Sequence, residues 1–149
     1  MKLLNNDGYR LITKFEGFSS KPYLCPAKLA TIGYGNTYYP NGKKVTLLDT
    51  PINEQEAFIL FKVIADKYAK QVSKLVTHPI NQNQFNALVS LAYNIGMGNF
   101  GKSTLLKKVN INANDLSIKD EFLRWNKVNK IPVKGLTNRR QYEADIYFS

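Results

Sequence analysis

Residues 15–35 read FEGFSSKPYLCPAKLATIGYG, and in this stretch a helical pattern gives way to a glycine-rich hairpin. Just ahead of it, Leu11, Ile12 and Phe15 recur at helical spacing. Asn5, Asn6 or Asp7 is available to cap the start, and Gly17 can take the left-handed conformation that ends helices. Thr31-Ile-Gly-Tyr-Gly35 then reads as a strand running into a turn. Glu16, Cys25 and Thr31 fall at this transition with the spacing Glu-x8-Cys-x5-Thr. An acid held at a helix end therefore converges with a thiol and a hydroxyl carried by a chain that folds back. An acid beside one second-side group is the minimum for hydrolysing a glycosidic bond. The helix C-terminus disfavours a carboxylate anion at Glu16, and Phe15 and Phe18 withdraw it from water. Both effects favour the protonated form that a general acid needs.

Working outward, Tyr38-Tyr39 leads into the turn Pro40-Asn-Gly42 and Lys43 to Thr46 returns, which predicts a small sheet. The remainder reads as helix. Asn53 with Glu56 forms a capping box that opens a long helix, and its Ala57, Phe58, Phe61, Ile64, Ala65, Tyr68 and Val72 repeat at three and four. A second helix is predicted from about Asn83 to Ile95, with shorter ones near Ser103 to Val109, Ile118 to Lys127 and Asn138 to Phe148. Together they predict an α+β fold in which a small N-terminal sheet lobe and a larger helical lobe are joined by the long helix, with a cleft between the lobes.

Composition bounds the function. At 149 residues and 44% hydrophobic content the chain can bury a real core, and the absence of a linker or composition shift predicts one catalytic domain over 1–149. The net charge of +10 points to polyanionic partners. There is no zinc spacing, aromatic RNA-binding signature or basic zipper, which argues against a specific nucleic-acid reader. His78 is the only histidine, so no metal site is expected, and nothing points to a cofactor. The single cysteine excludes an internal disulfide and fits synthesis in a reducing compartment. The N-terminus lacks the apolar core of a signal peptide and no stretch approaches a membrane span. A monomer made in the cytoplasm is the expectation.

Phe15-Glu-Gly-Phe18, Tyr23, Thr31-Ile-Gly-Tyr-Gly35, Ala87-Leu-Val-Ser-Leu-Ala-Tyr-Asn-Ile-Gly96, Phe100, Ser103-Thr-Leu-Leu106 and Gly135-Leu-Thr-Asn-Arg-Arg140 together resemble the phage-type lysozymes, the endolysins related to T4 lysozyme. The likeness runs through essentially the whole chain in order. It implies a muramidase that cleaves the β-1,4 bond between N-acetylmuramic acid and N-acetylglucosamine in peptidoglycan, with Glu16 as general acid. It also implies action on the cell wall after release from the host cytoplasm with the help of a holin.

Two positions depart from the usual family pattern: Cys25 stands where Asp is commonest, and Asn36 where His is. As a thiolate, Cys25 can activate water or stabilise positive charge on the sugar, or it can attack the anomeric carbon. Either role requires deprotonation, which Lys21 and Lys28 favour if they lie close. The alternative is that Cys25 is a small packing residue. Thr31 is a good strand residue, and the resemblance gives its hydroxyl the role of holding the attacking water. Arg139 matches the residue that faces the catalytic Glu in the family, and such a pairing opposes the helix-end and desolvation effects on Glu16, so the sequence leaves the balance between them open. Tyr34 and Thr37 from the sheet side, and Phe100 and Ser103 from the helical side, are the candidate substrate contacts. Two further readings stand beside hydrolysis: a lytic transglycosylase, which needs only the Glu, and a catalytically silent module that binds cell-wall glycan.

Overall fold

A computed structural model describes residues 2–149. In chain order the elements are α1 (Asn6–Glu16), β1 (Ser19–Leu24), β2 (Ala30–Gly33), α2 (Glu54–Leu75), α3 (Gln82–Ile95), α4 (Met97–Lys102), α5 (Thr104–Ile111), α6 (Ile118–Leu123), β3 (Lys127–Val128), β4 (Ile131–Pro132) and α7 (Lys134–Tyr147). The α+β class is as the sequence predicts. The chain divides into two compact units, one formed by Ile12–Lys67 and the other by the N-terminal segment through Leu11 with Tyr68–Ser149. The boundaries fall within α1 and within α2.

In the Ile12–Lys67 unit, α1 arrives with its start already fixed, because the Asn5 Oδ1 accepts the Gly8 N–H at 3.0 Å. It stops where Gly17 takes φ +69°. β1 and β2 are antiparallel, with Tyr23 opposite Thr31 and Leu24 opposite Ala30, and the register shifts between Ser19 and Tyr23. Pro22 falls in that irregular stretch, where a missing N–H breaks no regular ladder. β1 carries no strand signature in the sequence for the same reason. The expected return strand at Lys43 to Thr46 reduces to a single bridge, Tyr38 to Lys44. Side chains do the work of the missing ladder: the Tyr39 hydroxyl donates to Asp49 Oδ2 at 2.7 Å and the Thr46 hydroxyl to Oδ1 at 2.6 Å. These donors, the Thr46 groups foremost, hold the Asp49 carboxyl at about 2, while burial and then Asp49 push the Tyr39 phenol up to about 12. Beneath them Ile32, Val45 and Leu60 make a small core with Ala30, Tyr39 and Ile52 around it.

The capping box of α2 is present in both directions, Glu56 N–H to Asn53 Oδ1 at 2.7 Å and Asn53 N–H to Glu56 Oε1 at 3.2 Å. Of the predicted stripe, Ala57, Phe61, Ile64, Ala65 and Val72 are buried, whereas Phe58 is 39% exposed.

In the other unit α3 begins with a second capping box, Asn81 with Gln84, and buries Phe85, Leu88 and Leu91. α7 packs on α3 and on α6. Three boundaries differ from the sequence reading. α4 is not foreseen by the pattern, because Gly96, Gly98 and Gly101 interrupt it. The predicted helix from Ile118 ends at Leu123, and the chain turns into the β3–β4 hairpin. α7 begins at Lys134, so Thr137 lies inside the helix, with its hydroxyl donating to Val133 O at 3.2 Å and accepting from Asn126 Nδ2 at 3.0 Å. Among the described residues no helix is long and apolar enough to cross a membrane.

Candidate active site

The tip of the β1–β2 hairpin is built around Cys25. Pro26 follows it at the second position of a tight turn closed by Lys28 N–H to Cys25 O at 2.7 Å, and Lys28 takes φ +62°. Such a turn favours proline's fixed φ at that position, and the three-residue loop it belongs to ends on one left-handed residue. It aims backbone N–H groups at the side chain that opens it, as they are aimed at Asp or Asn in the same place. The Cys25 thiol is accordingly held below its ordinary value, chiefly by the Leu29 N–H, with the Thr31 hydroxyl and the Ala27 N–H adding to it against a partial burial. Thr31 is buried and its hydroxyl donates to Leu29 O at 2.9 Å. It has one proton to give, and a thiolate competes for it better than a neutral carbonyl does.

Tyr23 lies across the ladder from Thr31, on the same face, and Cys25 two residues on returns to that face. Burial, then the negative charge of Glu16, then that of Cys25, raise the Tyr23 phenol. One ring is thus within the field of both expected catalytic groups. Nothing in the sequence singles out Tyr23 for this position beyond its place in the family motif. Glu16 ends α1 partly exposed, and its carboxylate sits against Gly35: a Cβ built there would fall 2.5 Å from Glu16 Oε1. Gly35 has φ +82° and the turn around it is closed by paired backbone bonds between Ile32 and Asn36. The Asn36 side chain is 3% exposed, and neither of its amide atoms has a partner among the described residues.

The other candidates are more deeply engaged. Tyr34 is buried against the rings of Phe18 and Phe61, and its hydroxyl donates to Glu54 at 3.1 Å. Thr37 is partly exposed. In the second unit Phe100 is fully buried, and Ser103 caps α5 by accepting the Leu106 N–H at 3.1 Å. Arg139 is buried, with Nε 3.2 Å from Glu143 Oε2 and Nη2 3.2 Å from Ser90 O. Glu143 also receives the Ser90 hydroxyl in a short bond. Arg140 Nε approaches it at 2.7 Å, an ion contact whose angle falls outside hydrogen-bond geometry. Sequence reasoning misses Glu143; the available signal is a glutamate placed one helical turn beyond two adjacent arginines.

The profile of the phage lysozyme family matches residues 13–143. The chain belongs to the phage lysozyme family. It is 36% identical to an endolysin of Acyrthosiphon pisum secondary endosymbiont phage 1, over 98% of each chain. Its fold superposes on an endolysin of Escherichia coli O157:H7 phage FAHEc1 with a TM-score of 0.90 at 35% identity, covering 100% of this chain and 94% of that one. It likewise matches the muramidase domain of SpmX from Asticaccaulis excentricus, with a TM-score of 0.86 at 27% identity over 100% and 99% of the two chains.

The seat of Glu16 in this phage lysozyme gives a direct test. Gly35→Ala forces a side chain into the left-handed region, costing about 1–2 kcal/mol, and also pushes the Glu16 carboxylate aside. Gly42 has φ +88° with open space around it, so Gly42→Ala carries the first effect alone. Thermal unfolding should show both variants destabilised to a similar degree. If Glu16 acts in catalysis, lysis by the folded protein should fall on the order of 10²-fold only for Gly35→Ala, the usual effect of displacing a reacting group by about 1 Å.

Proposed function

We propose that this phage lysozyme hydrolyses the β-1,4 bond between N-acetylmuramic acid and N-acetylglucosamine in peptidoglycan, acting at the cell wall. Glu16 donates a proton to the leaving glycosidic oxygen. Cys25, as thiolate, faces the positive charge that develops on the sugar and takes the proton of the incoming water, which the Thr31 hydroxyl holds. One proton leaves Glu16 and one reaches Cys25, so the site resets by returning a proton from one to the other through solvent. If Cys25 instead attacks the anomeric carbon, the product keeps its anomeric configuration, and the stereochemistry of the new reducing end separates the two routes.

The observation that carries the reading is the hairpin tip. It stabilises an anion at the position where the family usually has a carboxylate, through the N–H groups of Leu29 and Ala27. A transglycosylase needs no such anion, and a silent glycan-binding module needs no acid seated on Gly35. Thr37 serves as a substrate contact in this proposal.

Turbidity of purified sacculi tests the activity. Clearing with release of new reducing ends supports hydrolysis, and sedimentation of the protein with undiminished sacculi would leave only the binding module.

A further inference from the structure

β3 and β4 pair with Val128 opposite Ile131, leaving Asn129-Lys130 as a two-residue turn with φ +50° and +67°. The pair best suited to two left-handed residues in succession is Asn-Gly. This chain keeps a lysine at the second place against the steric preference. The hairpin borders an open hollow of about 550 Å³ lying wholly within the Tyr68–Ser149 unit, with Asn94, Asn99, Arg124, Trp125, Lys127 and Lys130 in its lining. A neighbouring hollow of about 300 Å³ shares Arg124 and Trp125 and adds Lys102. Glu121 is the one carboxylate lining either of them, and it is occupied by Lys108 at 2.9 Å and Arg124 at 3.4 Å. Among the described residues Lys127 and Lys130 form no ion pair. The hollow therefore presents uncompensated positive charge beside an indole.

A ligand suited to it carries anionic groups on a flat or apolar body. In peptidoglycan, the substrate proposed above, those groups are the carboxylates of the peptide stems, and amidation removes their charge. We propose that this hollow reads the charge of the stem, so that walls with free stem carboxylates are bound in preference to walls whose stems are amidated. The inference rests on the muramidase reading for its substrate but not for its readout.

Two wall preparations, with free and with amidated stems, are compared for pelleting of the protein and for the amount of wall that half-saturates lysis. At low salt the wild type should favour the free-carboxylate wall by about fivefold, as expected for two exposed ion pairs, with the preference fading as salt is raised. Lys127→Gln combined with Lys130→Gly should treat both walls alike at an unchanged maximal rate. The second change supplies the glycine that the turn favours, so the hairpin should fold at least as well. Lys70→Gln with Lys74→Gln removes the same charge from exposed positions on α2 that do not line the hollow, and it should keep the preference. A wild type indifferent to amidation, a hairpin variant that retains the preference, or an α2 variant that loses it to the same extent would each overturn the proposal. Absence of lysis on both walls would refute the muramidase reading alone, because pelleting still reports on the hollow.

Discussion

Glu16→Gln is expected to lower the lysis of sacculi by at least about 10²-fold, the usual contribution of a positioned general acid, with the unfolding temperature close to that of the wild type. The amide preserves the size and most of the shape of the side chain, so its seat against Gly35 is kept. It has no acidic proton to deliver to the leaving oxygen. Pelleting with insoluble peptidoglycan should persist, which separates loss of chemistry from loss of binding. Retention of more than about a tenth of wild-type activity would be too much for a residue acting as the sole acid.

The second large effect belongs to Cys25. Alkylation of this thiol, the only one in the chain, should inactivate the enzyme, and Cys25→Ala should lose on the order of 10²-fold if the thiolate acts as base. Cys25→Asp should retain far more activity than Cys25→Ser, because aspartate is anionic above about pH 4 whereas a serine hydroxyl is not ionised near neutrality. Backbone N–H groups, that of Leu29 first, hold the thiol below its ordinary value, so activity should rise with pH through a limb lying below about 8.5, the usual range of a free cysteine. The limb marks conversion of inactive thiol to active thiolate. In Cys25→Asp the rising limb should move acidward, toward about 4. Equal activity of Cys25→Ala and wild type on the same sacculi would reduce Cys25 to packing and favour transglycosylation.

What the sequence makes legible depends on whether a residue's role is local. The start of α2 is readable because the capping box is written in two residues three apart, Asn53 and Glu56, and the end of α1 because Gly17 has few other uses. The spacing of Glu16, Cys25 and Thr31 is readable for the same reason, since one helix end and one hairpin hold all three. β1 is not legible, because its pairing with β2 tolerates Pro22 in an irregular register. The β3–β4 hairpin is hidden by its shortness and by Lys130, which stands where a glycine would have announced the turn. Tyr23 reaches the site through cross-strand pairing with Thr31, and the N–H groups that stabilise the Cys25 anion belong to Leu29 and Ala27, whose side chains say nothing about it. The pairing of Glu143 with Arg139 and Arg140 is local, one turn along α7, but its full burial follows from the packing of α7 on α3, which no local pattern expresses.

In the proposed mechanism water activated opposite Glu16 adds its oxygen to the new chain end, where it can be traced. Sacculi digested in water enriched in heavy oxygen should yield muropeptides with a reducing N-acetylmuramic acid end that carries one solvent oxygen. Products ending in an unlabelled 1,6-anhydro ring would show transglycosylation instead of hydrolysis.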